Sequence, residues 1–269
     1  MGDENSRPIG VFDSGVGGLT VLRRIAERLP SESLAYLGDT ARVPYGTKSP
    51  STVERYALGC AKVLMRHNVK LMVVACNTAS AYALESLREN LDVPVLGVIE
   101  PGARRAAATS KTGRIGIIGT AGTIGSGAYQ NAIRQCAPGV SVFCKACPLF
   151  VPLAEEGWVD GPLPELAAQA YLDEIVRESI DTLLLGCTHY PLLREVITRV
   201  AGPGVALVDS AEAASQVVEE TLDAMGLLAS ATVKPKRRFL VTDSPEGFLR
   251  TGRRFFGGEI GGVEWVDIH

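Results

Sequence analysis

Short runs rich in Val, Ile and Leu alternate along this chain with longer stretches of helical period, and that alternation leaves few folds open. Runs at 9–12, 35–37, 71–75, 95–98, 115–118, 140–144, 182–185 and 205–208 have strand length and β-branched content. Between them, 19–28, 52–66, 79–90, 128–135, 165–178 and 211–225 carry apolar residues at helical spacing. Strands that are apolar on both faces and alternate with helices predict an α/β architecture, with largely parallel sheets covered by helices on both sides. In such folds a ligand sits beyond the carboxyl ends of the strands. The 269 residues have room for one large domain or two smaller ones, each with its own core.

The alternation also repeats itself once. Ile9-Gly-Val-Phe-Asp-Ser14 resembles Ile115-Gly-Ile-Ile-Gly-Thr120, 106 residues on. Val73-Val-Ala-Cys-Asn-Thr78 resembles Leu184-Leu-Gly-Cys-Thr-His189 at a spacing of 111, and the run 95–98 resembles 206–209 at the same spacing. Matches in one order at nearly constant spacing predict two similar α/β halves that face each other across a cleft.

In each half a cysteine follows a buried-type strand and precedes a helical stretch: Cys76-Asn-Thr-Ala-Ser80 and Cys187-Thr-His-Tyr-Pro191. The positive end of a helix lowers a thiol pKa from about 8.5 into the range of roughly 3.5–7.5. Asn77, Thr78 and Thr188, with the free amides of a helix start, suit a carboxylate ligand. Two thiols across a cleft suit a carbon acid, since one as thiolate removes a proton from one face while the other as thiol returns one to the opposite face, inverting the centre. This geometry needs the sulfurs roughly 6–8 Å apart, with the α-carbon between them. His189 lies two residues after Cys187, and Asp13 follows the first strand, where it meets Cys76 if those strands are neighbours.

Other function classes lose ground on composition. Lys and Arg number 27 against 30 Asp and Glu, without the basic excess of a domain built on phosphate contacts, so no nucleic-acid partner is expected. Lys234-Pro-Lys-Arg-Arg238 reads as a solvated linker before a strand. No apolar stretch reaches 18 residues and the N-terminal Met-Gly-Asp-Glu-Asn-Ser is acidic, so the expectation is a cytoplasmic protein with no membrane partner and reduced cysteines. Gly15-Val-Gly-Gly18 departs from a dinucleotide loop at Thr20, and a tight strand-to-helix turn accounts for its glycines. Cys144-Lys-Ala-Cys147 has zinc-type spacing but lacks a second ligand pair, so no metal is expected.

The segments Gly10-Val-Phe-Asp-Ser-Gly-Val-Gly-Gly-Leu-Thr20, Leu37-Gly-Asp-Thr-Ala-Arg-Val-Pro-Tyr-Gly46, Ala75-Cys-Asn-Thr-Ala-Ser80, Cys147-Pro-Leu-Phe-Val-Pro-Leu-Ala-Glu155 and Leu184-Leu-Gly-Cys-Thr-His-Tyr-Pro191 resemble those of bacterial glutamate racemases, in order and over nearly the whole chain. The resemblance implies two similar α/β domains with largely parallel sheets related by pseudo-twofold symmetry, the active site lying in the cleft between them. One would comprise 1–99 plus 210–269, with strands at 237–242 and 263–266 returning to it, and the other 100–209. It also implies cofactor-independent interconversion of L- and D-glutamate for peptidoglycan synthesis, often by homodimers. Carried over by motif, Cys76 and Cys187 are the acid/base pair, Asp13 assists Cys76, and Glu155 and His189 assist Cys187. Asp13, Ser14, Tyr45, Gly46, Asn77, Thr78, Thr188 and His189 would bind substrate, and Thr120 and Thr123 would contact a carboxylate.

Other chemistries stay open on the residues. An aspartate or hydantoin racemase of the same superfamily would share the motifs, and a Cys–His hydrolase or acyltransferase would use Cys187 with His189 and leave Cys76 idle. A zinc-stapled module on Cys136, Cys144 and Cys147 would be no enzyme at all. For the two-base scheme, closure is expected as rigid-body motion about links near Glu100 and Ser210.

Overall fold

A computed structural model describes residues 4–231 and 234–268; Met1, Gly2 and Asp3 of the acidic N-terminal segment lie outside them. The first half runs β1 (Ile9–Asp13), α1 (Leu19–Arg28), β2 (Leu34–Gly38), α2 (Pro50–Met65), β3 (Leu71–Val74), α3 (Asn77–Asn90) and β4 (Val95–Gly97). Helix α4 (Ile99–Thr109) crosses to β5 (Arg114–Gly119), α5 (Ala121–Gly125), α6 (Ala128–Cys136), β6 (Ser141–Ala146), α7 (Phe150–Glu156), α8 (Pro162–Arg177), β7 (Thr182–Gly186), α9 (Arg194–Ala201) and β8 (Ala206–Asp209). Helix α10 (Ser210–Ala224) crosses back to β9 (Arg237–Val241), α11 (Pro245–Phe256) and β10 (Val263–Trp265).

The strands form two all-parallel sheets, ordered β10-β9-β2-β1-β3-β4 and β6-β5-β7-β8. Setting aside β9 and β10, the two layouts are the same, with β1 and β5 central, β3 and β7 beside them, and β4 and β8 outermost. The three sequence matches fall on these equivalent strands. The central strands are buried along their whole lengths, which is why their apolar residues do not alternate with polar ones. Ile9, Val11, Leu71 and Val73 face one apolar cluster, while Phe12, Met72 and Val74 face another on the opposite side of the same sheet. The second sheet is sandwiched likewise, Ile115, Ile117 and Leu184 on one side and Ile118, Leu183 and Leu185 on the other.

Helix α4 opens Ile99-Glu-Pro-Gly, and its Pro101 and Gly102 hide it from a pattern reading. Proline is tolerated in a first turn because the N–H it lacks would be unpaired there anyway. Gly102 favours close approach, since a Cβ there would lie 3.2 Å from Ser210 Cβ, where α4 and α10 pass each other between the halves. Among the described residues no helix is long and apolar enough to cross a membrane.

Candidate active site

Parallel pairing of β1 with β3 sets Phe12 opposite Val74, which delivers Asp13 and Ser14 beside Ala75 and Cys76 at the carboxyl edge of the first sheet. Pairing of β5 with β7 sets Gly119 opposite Gly186 and delivers Thr120 beside Cys187 at the same edge of the second. The two edges meet. Ser14, Tyr45, Gly46, Cys76, Asn77, Thr78, Thr120, Cys187, Thr188 and His189 line one cavity of about 30 Å³, with Val43, Pro44 and Val151 completing its wall. Asp13, Thr123 and Glu155 are not in that lining, and each reaches it through a neighbour. Every residue carried over from the motifs is thus brought to this one place or directly behind it.

The two cysteines differ in setting. Cys76 is the N-cap residue of α3, and its Sγ lies 3.7 Å from Ser14 Oγ. Cys187 has no α-helix behind it: Pro191 falls in a single 3-10 turn, Tyr190–Leu193, and α9 begins only at Arg194. The expectation of a helix dipole at both thiols is therefore corrected for Cys187. There a histidine takes the helix's place, with His189 Nδ1 3.8 Å from Cys187 Sγ and Nε2 2.9 Å from Glu155 Oε1. Glu155 lies in the last turn of α7, and Arg254 of α11 donates to its backbone carbonyl at 2.8 Å.

A lowered thiol pKa at Cys76 is also corrected. Burial pushes the Cys76 thiol up to about 12, the Asp13 carboxylate adding to the rise against the Ala79 amide and the Ser14 hydroxyl. Desolvation can move a buried group by 3–5 units, roughly, whereas a helix end contributes only about 0.3–1 kcal/mol, so burial wins in a closed site. Burial opposes charge on the His189 ring, yet its hydrogen bonds to Cys187 and Glu155 outweigh that and bring it up to about 10. Asp13 is held above the usual carboxylate range by burial, against the pull of His189 and of the Gly15 and Gly18 amides. Its Oδ2 accepts from Gly15 N at 3.0 Å, and its Oδ1 has no protein partner. This distribution favours a protonated Cys76 and an imidazolium beside Cys187.

Across the cavity the hydroxyls of Thr78, Thr120 and Thr123 form a triangle with sides of 2.9, 3.1 and 3.0 Å. Thr120 caps α5 through the amide of Thr123. Gly46 is needed against this wall, since a Cβ there would lie 2.6 Å from Thr120 Cβ. Tyr45 is buried and donates to Asp39 Oδ2 at 2.5 Å, while Thr242 donates to Asp39 Oδ1 at 2.8 Å and Arg42 pairs with Asp39 at 3.3 Å. The motif reading assigned nothing to Asp39. Its signal was present, because it follows β2 as Ser14 follows β1, with Asp13 and Gly38 in register.

Cys136 is exposed, Cys144 half-buried and Cys147 buried, and all the described cysteines are free thiols. Among the described residues no group of three or more His, Cys, Asp or Glu is placed to hold a metal.

Residues 9–218 match the family model described as Asp/Glu/Hydantoin racemase. A glutamate racemase of Geobacter metallireducens is 55% identical over 262 residues, 97% of each chain. Crystal structures of glutamate racemases from Bacillus anthracis and, in complex with D-glutamate, from Francisella tularensis superpose with TM-scores of 0.94 and 0.92. Each is 40% identical and covers 98% of both chains.

Proposed function

The chain belongs to the Asp/Glu/Hydantoin racemase family, and on that premise we propose that it interconverts L- and D-glutamate by a two-base mechanism, one of Cys76 and Cys187 taking the α-proton from one face and the other giving its own proton to the opposite face. The observation that carries this reading is that both thiols line one cavity, each with a different proton-managing partner behind it.

One cysteine, as thiolate, takes the α-proton; the C–H bond breaks and its electron pair is left on a carbanion conjugated with the α-carboxylate. The opposite thiol gives its proton to the other face, a new C–H bond forms, and the second sulfur is left as thiolate. No atom is gained or lost, and the reverse reaction uses the same pair with roles exchanged. In the resting site Cys76, raised by burial and Asp13, holds its proton, while the His189 imidazolium, held by Glu155, stands beside Cys187. Asn77, Thr78 and Thr188 with the amides around them, and Ser14, Tyr45 and Gly46 opposite, hold the carboxylates and ammonium. Thr120 and Thr123 exchange their mutual hydrogen bonds for a carboxylate. Donors fixed in a site without water stabilise the developing charge most. The product D-glutamate is a cytoplasmic precursor for peptidoglycan, and the divided domains are 1–99 plus 210–269 and 100–209.

Circular dichroism tests the activity. Purified protein in a metal chelator with no added cofactor is expected to bring L-glutamate and D-glutamate, separately, to the same zero ellipticity. Unchanged glutamate alongside loss of the L-aspartate signal would assign the protein to the aspartate branch instead.

The cavity also sets a demand on motion. One water needs roughly 10–15 Å³ of such space, so about 30 Å³ admits two or three waters and not the ten heavy atoms of glutamate. The halves open as rigid bodies at the crossings near Glu100 and Ser210, and glutamate holds them shut. X-ray scattering should give a smaller radius of gyration at saturating glutamate than without it. Superimposable curves would contradict the gating.

A further inference from the structure

Behind Cys76 lies a group of polar atoms that proton transfer does not use. Asn77 Nδ2 donates to the Tyr129 hydroxyl at 2.7 Å and stands 3.5 Å from Ser210 Oγ. Ser210 Oγ in turn donates to the carbonyl of Leu185 at 3.2 Å. Tyr129 comes from α6 and is fully buried; Ser210 opens α10 and is 3% exposed. The path runs from the residue after Cys76 through the crossing point of the chain to β7, two residues before Cys187.

The packing around this path leaves no slack. A Cβ on Gly186 would lie 2.9 Å from Tyr129 Cε2, and one on Gly102 would lie 3.5 Å from Tyr129 Cε1 and 3.2 Å from Ser210 Cβ. The ring is therefore wedged between the glycine preceding Cys187 and the first turn of α4. The remaining atom is the informative one: Asn77 Oδ1 is buried with no protein partner, and Asn77 lines the cavity. A carboxamide has a donor end and an acceptor end. With the donor end taken by Tyr129, the acceptor end is the one left for a ligand to pair with, and leaving a buried acceptor unpaired is unfavourable until a donor arrives. An amino acid brings such a donor in its ammonium.

We infer that Tyr129 and Ser210 are positioning residues that lock the Asn77 carboxamide with its oxygen free for the substrate ammonium and tie that orientation to the strand carrying Cys187. Neither touches substrate, and the assignment rests on the amino-acid racemisation proposed above.

The experiment compares ligands with and without an ammonium. In Tyr129→Phe the ring stays in its wedge and only the hydroxyl is lost, so the carboxamide is free to turn. KM for L- and D-glutamate is expected to rise about tenfold, while inhibition by glutarate, which has both carboxylates and no ammonium, stays within about twofold of the parent. Ser210→Ala, smaller than the native residue, is expected to show the same selectivity with a rise of about threefold, and it decides the matter if Tyr129→Phe does not fold. Equal weakening of glutamate and glutarate would mean general distortion and overturn the inference. So would parent-like KM in the folded variants. A parent protein that leaves glutamate unchanged would instead remove the catalytic reading on which the inference stands.

Discussion

Replacing either Cys76 or Cys187 by alanine is expected to lower racemisation by at least about 10³-fold, within the span that a positioned acid or base contributes. The two losses should be alike because inversion needs both faces served. They should nonetheless leave different remnants. A protein with only Cys187 retains a base for one enantiomer, so in deuterium oxide it should exchange the α-proton of that enantiomer slowly without inverting it, and a protein with only Cys76 should do so for the other. Both cysteines are nearly buried, and removing a sulfur leaves a small gap at the cavity wall, so folding should survive and circular dichroism of the backbone should match the parent. Full racemisation in Cys76→Ala would eliminate the two-base scheme.

Gly17→Ala is expected to cost about two orders of magnitude in kcat/KM while barely affecting backbone geometry. Gly17 is not among the glycines with positive φ, so alanine fits its conformation. It does not fit its surroundings: the added methyl would overlap Thr188 Oγ1 and the His189 ring, whose Nδ1 would be 2.5 Å away. His189 would have to leave its position beside Cys187, and a displacement of about 1 Å near reacting atoms costs about 10²-fold. Gly15→Ala, two positions earlier, supplies the contrast. Its methyl meets Val43 at 3.4 Å, an ordinary contact, so steady-state rates should remain within about threefold of the parent. Equal effects at the two positions would show that the turn, not the approach of His189, is what matters.

The glycines of this turn illustrate how much was legible beforehand. Their departure from a dinucleotide loop at Thr20 was visible, and so was the alternative of a tight turn. The reason for Gly17 was not, because it lies 171 or 172 residues away, at Thr188 and His189. Thr20 itself sits 3.0 Å from the carbonyl of Thr188, a link that no local spacing encodes. The strands and the two cysteines were readable because strand burial writes itself as uninterrupted Val, Ile and Leu, and because a repeated motif at the end of such a run marks a repeated place.

The chemistry of the thiols was less readable. A helix start after Cys76 argued for an easily formed thiolate, but the strength of that effect depends on water, and burial is a property of the assembled halves. At Cys187 the same argument failed locally, since a 3-10 turn stands where the helix was expected. Glu155 could be reached only through resemblance: it is 34 residues before His189 and meets it because α7 packs beside the turn that follows β7. Tyr129 and Ser210 carried no pattern at all, being one aromatic and one hydroxyl residue in otherwise ordinary helices.

The strand order fixes a timetable for synthesis. The four-stranded sheet is drawn from one continuous stretch, β5 to β8, whereas the six-stranded sheet needs β9 and β10 from the far end of the chain. A nascent chain can finish its second sheet while β2, fully buried in the native protein, still shows an open edge toward the ribosome's surroundings. Such an edge is a template for pairing with other chains. A stop codon anywhere between β8 and β9 should therefore give a product that aggregates through β2, despite having every residue of the cavity wall already translated.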